Sequence, residues 1–385
     1  MTKEAPAYVH LDHNATGVVA RECLEAMRAC LRPDIGNPSS KHAAGMRAHG
    51  LLHEARAEVA ALIGAAVREI VFTSSGTEAN HMAILGVLSA PYGARHIVTS
   101  QVEHPSTLML LRHLEGLGTR VSYLPVDGEG RLAADAVRAA ITADTTLVTL
   151  MWANNETGVL FPIPEIAALT RAMGVLLHVD AVQAAGRIPI DVARVAIDML
   201  SLAGHKLHAP PGAGALFVRN GVKITPLLWG HQERARRGGS ENLPAIVAFG
   251  SACALAREDL EAQASRMERL RDDLEQGVSA RFPAAEIHGA AAPRLPNTSS
   301  VGFGALDGER LMQALDRRGI AVSLGAACAA GGVEPSHVLM AMGLDRRAAL
   351  GTIRFSLGRY NTSACVERVL TVLPDILREV SARAA

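Results

Sequence analysis

The sequence predicts an α/β protein: a large, mostly parallel sheet domain with helices on both faces, plus a smaller α/β domain. Three observations carry this expectation. Between residues 69 and 179, short apolar runs alternate with turn residues and helix-period stretches, in a strand–turn–helix rhythm. The chain has 385 residues, more than one hydrophobic core usually spans. Hydrophobic residues make up 49% and charged residues 20%, which is ample for packed cores and argues against disorder.

Taken in order, Leu11-Asp-His-Asn-Ala-Thr16 is polar and reads as a loop. Helical periodicity from Val18 to Leu31 stops at Pro33, which cannot continue a helix. Gly36-Asn-Pro-Ser-Ser40 is a turn whose serines can cap a long helix to about Leu62, with Gly64 as its stop. Glu69–Thr73 reads as a short strand, and Ser74-Ser-Gly-Thr-Glu78 opens a helix to about Ser89. His96–Ser100, Arg120–Leu124 and Thr146–Met151 read as strands, with helices near Ser106–Glu115 and Ala133–Ala140. Ile163–Met173 is a helix, and Val175–Val179 a buried strand. One long helical region from Asn242 to about Phe282 leads out of the sheet domain. After Pro293, Val301–Phe303, Ala321–Ser323 and Thr352–Ser356 read as strands and Asp307–Arg318 as a helix, before a terminal helix. The expected division is a large domain at 13–255, with 1–12 and 256–385 forming the small one.

Lys plus Arg and Asp plus Glu are equal at 38 each, so charge points to neither nucleic acid nor membrane. The five cysteines, at 23, 30, 253, 328 and 365, form no CxxC pair, so neither a disulfide framework nor a metal site is expected. An odd, dispersed set fits a reducing cytoplasm. No stretch reaches membrane-spanning length, and the first residues lack an apolar h-region, so a cytoplasmic location is expected.

In parallel sheets, ligands sit at the carboxyl ends of strands, so the residues that end the strands matter most. After Glu69–Thr73, Gly76 permits close approach, and Thr77 offers a hydroxyl where free amides favour a phosphate; the same run is also an ordinary cap. No G-x-G-x-x-G or G-x-x-x-x-G-K-[ST] appears at this turn, which removes the main support for dinucleotide and triphosphate binding. Asp180 follows Val175–Val179, with Gln183 three residues on, and its carboxylate can hold a protonated ring nitrogen or cap a turn. His104 follows another strand and can stack on a ring or move a proton. Asn154-Asn-Glu-Thr-Gly158 places amide donors at a fourth strand end. Lys206 lies among Leu202, Ala203, Leu207 and small residues, where desolvation makes an amine nucleophilic near neutral pH. An imine-forming lysine, a phosphate cradle and an acid for a ring nitrogen are the inventory of a pyridoxal 5′-phosphate site.

On these residues the chain resembles the cysteine desulfurases. They are pyridoxal-phosphate enzymes of fold type I in the class V aminotransferase group. The match runs in order from about residue 8 to 360. It includes Gly36-Asn-Pro-Ser-Ser40, Ser75-Gly-Thr-Glu78, Glu103-His-Pro105, Trp152-Ala-Asn-Asn-Glu-Thr-Gly158, His178-Val-Asp-Ala-Val-Gln183, Gly204-His-Lys206, Pro335-Ser-His-Val338 and Arg354-Phe-Ser-Leu-Gly-Arg359. The resemblance implies that Lys206 is the Schiff-base lysine, that Asp180 pairs with the ring nitrogen and Gln183 with the ring hydroxyl, and that His104 stacks on the ring. It implies phosphate ligands at Gly76, Thr77 and His205, with Ser240 reaching the phosphate across a homodimer interface. Asn155 and Arg354 would hold the substrate carboxylate.

Cys328 lies in Gly325-Ala-Ala-Cys-Ala-Ala-Gly-Gly332, whose small residues leave little to pack. It resembles the nucleophile of the subgroup with a long cysteine loop. The implied reaction converts L-cysteine to L-alanine and leaves a persulfide on Cys328, to be passed to a sulfur acceptor or iron–sulfur scaffold protein. Several motifs look closest to the nitrogenase-associated branch; a selenocysteine lyase or another class V enzyme is the alternative. Ala203 where serine is frequent, His13 where asparagine is usual, and alanines around Cys328 depart from the pattern.

Overall fold

The computed structural model describes residues 8–89, 96–324 and 334–382. The chain enters through β1 (Val9–His10) and α1 (Arg21–Ala29), then the long α2 (Ala43–Ile63). Gly64 ends α2 at φ 68°, a left-handed turn that a side chain would strain. The cap of α2 differs from expectation: the His42 ring, not Ser39 or Ser40, accepts from Gly45 N at 3.3 Å.

β2 (Ile70–Thr73) and α3 (Gly76–Leu88) are followed by β3 (His96–Ser100), α4 (Pro105–Gly116), β4 (Arg120–Leu124), α5 (Ala134–Ala140), β5 (Thr145–Met151), α6 (Ile163–Ala172) and β6 (Leu176–Asp180). These match the sequence reading to within two or three residues at each end. Two further strands, β7 (Met199–Ala203) and β8 (Gly214–Val218), complete a seven-stranded sheet of order β2-β8-β7-β6-β5-β3-β4. The sequence reading missed both. They are short, poor in β-branched residues and separated by a Gly/Pro-rich stretch, so propensity marks them weakly.

From β7 to β4 neighbouring strands run parallel, while β8 lies antiparallel between β7 and β2. Two antiparallel steps restore direction, so β2 ends at the same edge as the parallel strands. Alternate residues feed opposite layers, as strand geometry requires. Ile70, Phe72, Val98 and Val148 join the core that holds α2, while Val71, Ile97, Leu147 and Leu216 join the core that holds α3.

A short turn, α7 (Gln232–Ala235), carries three consecutive left-handed residues, Glu233, Arg234 and Ala235. Glu233 pins it, accepting from Arg56 at 2.5 and 2.6 Å and from Phe72 N at 2.9 Å. The expected single helix of 242–282 is two: α8 (Leu243–Glu258) and α9 (Leu260–Arg281), broken at Asp259, whose φ of −133° and ψ of 28° are not helical. The break redirects the chain, since α8 belongs to the core of the large sheet and α9 to a separate one.

That second core forms around β9 (Glu286–Ile287), β10 (Thr298–Gly302), α10 (Gly308–Asp316), β11 (Ile320–Ala321), β12 (Thr352–Ser356) and α13 (Ser363–Ala382). The short helices α11 (His337–Ala341) and α12 (Arg346–Leu350) precede β12. Strand order is β12-β10-β9, and β1 pairs in parallel with β11, which brings the N-terminal segment into this core. Among the described residues no helix is long and apolar enough to cross a membrane.

Candidate active site

The carboxyl ends of β2, β3, β5, β6 and β7 open on one cavity of about 570 Å³. Its lining contains Gly76, Thr77, His104, Asn155, Asp180, Gln183, His205, Lys206 and Arg354. Nine of the residues singled out from the sequence are therefore brought together. Ser240 is exposed and lies outside this lining. Cys328 lies outside the described residues, but Ser323 on one flank of 325–333, and Glu334, Pro335 and His337 on the other, line the cavity.

Lys206 stands on a single helical turn after β7. Its Nζ donates to the carbonyls of Asn14 and Ala15, both at 2.6 Å. Burial, assisted by the Arg187 and Arg354 cations, lowers its pKa to about 7. Near neutral pH a large fraction of this amine is unprotonated. The Asn14 carbonyl also accepts from Gln183 Nε2 at 2.9 Å, and Arg187 donates to the Gln183 side chain. His205 bonds Thr16 Oγ1 at 3.1 Å, and burial pushes its pKa down to about 4, so its ring is neutral.

Asp180 is the last residue of β6. One oxygen accepts from Val182 N at 3.0 Å and the other from Asn80 Nδ2 at 2.7 Å. Asn80 Nδ2 also donates to Ser106 Oγ at 3.0 Å, and that hydroxyl meets His104 Nδ1 at 2.8 Å. Ser106 N–H donates to the same Nδ1, so Nδ1 is an acceptor and the neutral ring keeps its hydrogen on Nε2. His104 stands at the mouth of the cavity, yet the surrounding walls lower its pKa, with Asp180 opposing. The sequence reading gave Asn80 and Ser106 no role. Asn80 lies four residues after Gly76, on the same helical face, and that spacing was the available signal.

Arg354 reaches in from β12, donating to the Asn155 carbonyl at 3.0 Å and to Asp12 at 2.7 Å. Its Nε–H is buried with no acceptor among the described residues.

This arrangement fits pyridoxal phosphate. A Cβ built on Gly76 would meet Val182 Cγ2 at 2.8 Å, so the opening of α3 is shaped for something to approach its backbone closely. The first amides of that helix have no intrahelical acceptor, which suits a phosphate. Asn80 Oδ1 is buried without a partner beside the Asp180 carboxylate, and a desolvated amine completes the set. No group of three or more potential metal ligands occurs among the described residues.

Fold and site define a pyridoxal-phosphate enzyme of fold type I. The sequence model of the family Aminotransferase class-V matches residues 9–369. A cysteine desulfurase of Trichormus azollae is 48% identical over 375 residues, covering 97% of this chain and 94% of that relative. The cysteine desulfurase NifS of Azotobacter vinelandii is 45% identical over 376 residues, with coverage of 97% and 94%. A solved NifS-like protein superposes with a TM-score of 0.89 at 36% identity, covering 97% of this chain and all of the other. The chain belongs to the class V aminotransferase family, and within it to the pyridoxal-phosphate-dependent cysteine desulfurases.

Proposed function

We propose that this enzyme converts L-cysteine to L-alanine and carries the released sulfur as a persulfide on Cys328, for delivery to an acceptor protein in iron–sulfur cluster assembly. The observation that carries this reading is Lys206, an amine with a pKa of about 7 at the junction of five strand ends. Bound pyridoxal phosphate supplies an electron sink for charge developing at the substrate α-carbon. Lys206 takes the α-proton, which an ordinary ammonium cannot do. Asp180, oriented by Asn80 and Val182 N, would hold the proton of the ring nitrogen, and Gln183 would meet the ring hydroxyl. His104, its Nδ1 engaged by Ser106, would stack on the ring and could exchange protons through its Nε2. Gly76, Thr77 and His205 would hold the phosphate, with Ser240 from the second copy of a homodimer. Arg354 and Asn155 hold the substrate carboxylate, using the free Nε–H of Arg354.

The Cys328 thiolate bonds to the substrate sulfur as the carbon–sulfur bond breaks. The bonding pair stays with carbon, which takes a proton to become L-alanine. Cysteine plus one enzyme thiol thus gives alanine plus one persulfide. Similarity to the NifS protein of Azotobacter vinelandii supports a nitrogenase-associated role, and we place the enzyme in the cytoplasm. The test is to incubate the purified holoenzyme with L-cysteine and reductant and measure alanine and sulfide together. Equal yields, both lost in Cys328→Ser, are expected. No alanine from the wild type would overturn the reading.

A further inference from the structure

Near His104, the cavity wall carries a second imidazole that the mechanism above leaves idle. His337 heads α11 and lines the cavity. Its Nε2 lies 3.0 Å from the carbonyl oxygen of Glu103. A carbonyl can only accept, so Nε2 carries the hydrogen and Nδ1 is the basic nitrogen of the neutral ring. Among the described residues no hydrogen bond reaches Nδ1.

The position is fixed from two sides. Ser336, the cap of α11, accepts from Leu339 N at 3.1 Å and donates to the buried carboxylate of Glu156. Glu156 sits in the turn after β5, held by the Asn154 side chain at 2.9 Å. Glu103 is buried too, and its carboxyl accepts from Ser100 Oγ at 2.6 Å. The charged or titratable groups around His337 are therefore Glu103 and His104 from the turn into α4, Glu156 after β5, Arg354 on β12 and Glu334 on its own segment. A base lone pair oriented by a backbone carbonyl and borne on an anchored helix start is the arrangement of a positioned proton acceptor.

We propose that His337 Nδ1 accepts the thiol proton of the bound cysteine substrate. The S–H bond breaks, its electron pair stays on sulfur as thiolate, and the proton resides on Nδ1 until it is returned to product or solvent. No oxidant or reductant is involved. The assignment rests on the cysteine desulfurase reading and names the residue through which that site distinguishes a thiol side chain.

The test uses His337→Gln in the holoenzyme. Glutamine keeps a donor for the Glu103 carbonyl but has no titrating nitrogen. Alanine formation from L-cysteine is measured for both proteins from pH 6.5 to 9.5, and the ratio of their kcat/KM values is plotted. The ratio cancels the titrations that both proteins share. Loss of a general base predicts a variant about 100-fold slower at pH 7. The ratio then climbs toward one as the substrate thiol ionises by itself, near pH 8.5. A ratio that is depressed but flat with pH would make His337 merely structural and overturn the proposal, as would a ratio near one throughout. Where glutamine fails to fold, His337→Asn is read in the same way. If the wild type forms no alanine, the desulfurase reading itself falls; if it does and the ratio is flat, only the assignment of His337 falls.

Discussion

Replacing Lys206 with methionine keeps most of the length of the side chain and removes its charge. In the cofactor-free protein, burial lowers the lysine from 10.5 to about 7. Between those values the unfolded chain holds a proton that the folded chain has released, so rising pH favours folding. Below about pH 7 both states are protonated, and the cost of burying the ammonium is constant. Worked through for a single site, the wild type gains about 2 kcal/mol over the variant between pH 7 and pH 9. The other titrating groups are common to both proteins and cancel in the difference. The assay is urea unfolding of both proteins without cofactor, at the two pH values. The variant also removes the lysine's bonds to the Asn14 and Ala15 carbonyls, though Asn14 keeps its bond from Gln183, and this loss shifts its stability equally at both pH values. Curves that keep the same separation at pH 7 and pH 9 would show that Lys206 has ordinary basicity, and the account of its nucleophilicity would have to be abandoned.

Glu103 provides the mirror case. Burial raises its carboxyl to about 8, so wild-type stability relative to Glu103→Gln should fall as pH rises from 5 to 8, by at most about 1.4 kcal/mol per unit; an unchanging difference in denaturant midpoint would contradict this. Glu233→Gln leaves buried Arg56 without its counter-charge and should cost about 3–5 kcal/mol, read from chemical unfolding, with a loss below about 1 kcal/mol counting against the pairing. Gly76→Ala puts a methyl against Val182 and should weaken retention of pyridoxal phosphate at a stability cost of about 1–3 kcal/mol; equilibrium dialysis showing unchanged affinity would refute the cradle. Asp180→Asn should lower alanine formation by about 100-fold or more while the protein still binds cofactor, and a rate within twofold of wild type would remove Asp180 from the chemistry.

The sheet was legible where strands are apolar, bounded by turn residues and separated by periodic helices, as from β2 to β6. It was illegible at β7 and β8, because strands buried on both sides by neighbours need little propensity of their own. The break at Asp259 was hidden for a related reason: no glycine or proline marks it, and the two helices diverge because they serve different cores. Lys206, Asp180 and His104 were readable because chemistry restricts which residue types can end those strands. Asn80, Ser106 and His337 were not, since their roles depend on what they touch. Nothing in the sequence around Asn80 says that its amide joins Asp180 to the partner of His104.

The pairing of β1 with β11 has a bearing on how the chain matures. Val9 lies beside Ile320, and Asp12 binds Arg354, so the segment that carries the Asn14 carbonyl to Lys206 is held by residues made more than three hundred positions later. At ribosomal speeds of roughly 5–20 residues per second, the N-terminal strand waits on the order of 15 to 60 s for its partner. Until then that segment has only its contacts with the large domain, such as those of Thr16 with His205 and of Asn14 with Gln183. A nascent chain can assemble most of the large sheet before the small-domain anchors of this segment exist. Residues 320–354 thus complete the support of a site whose lysine was translated well before them.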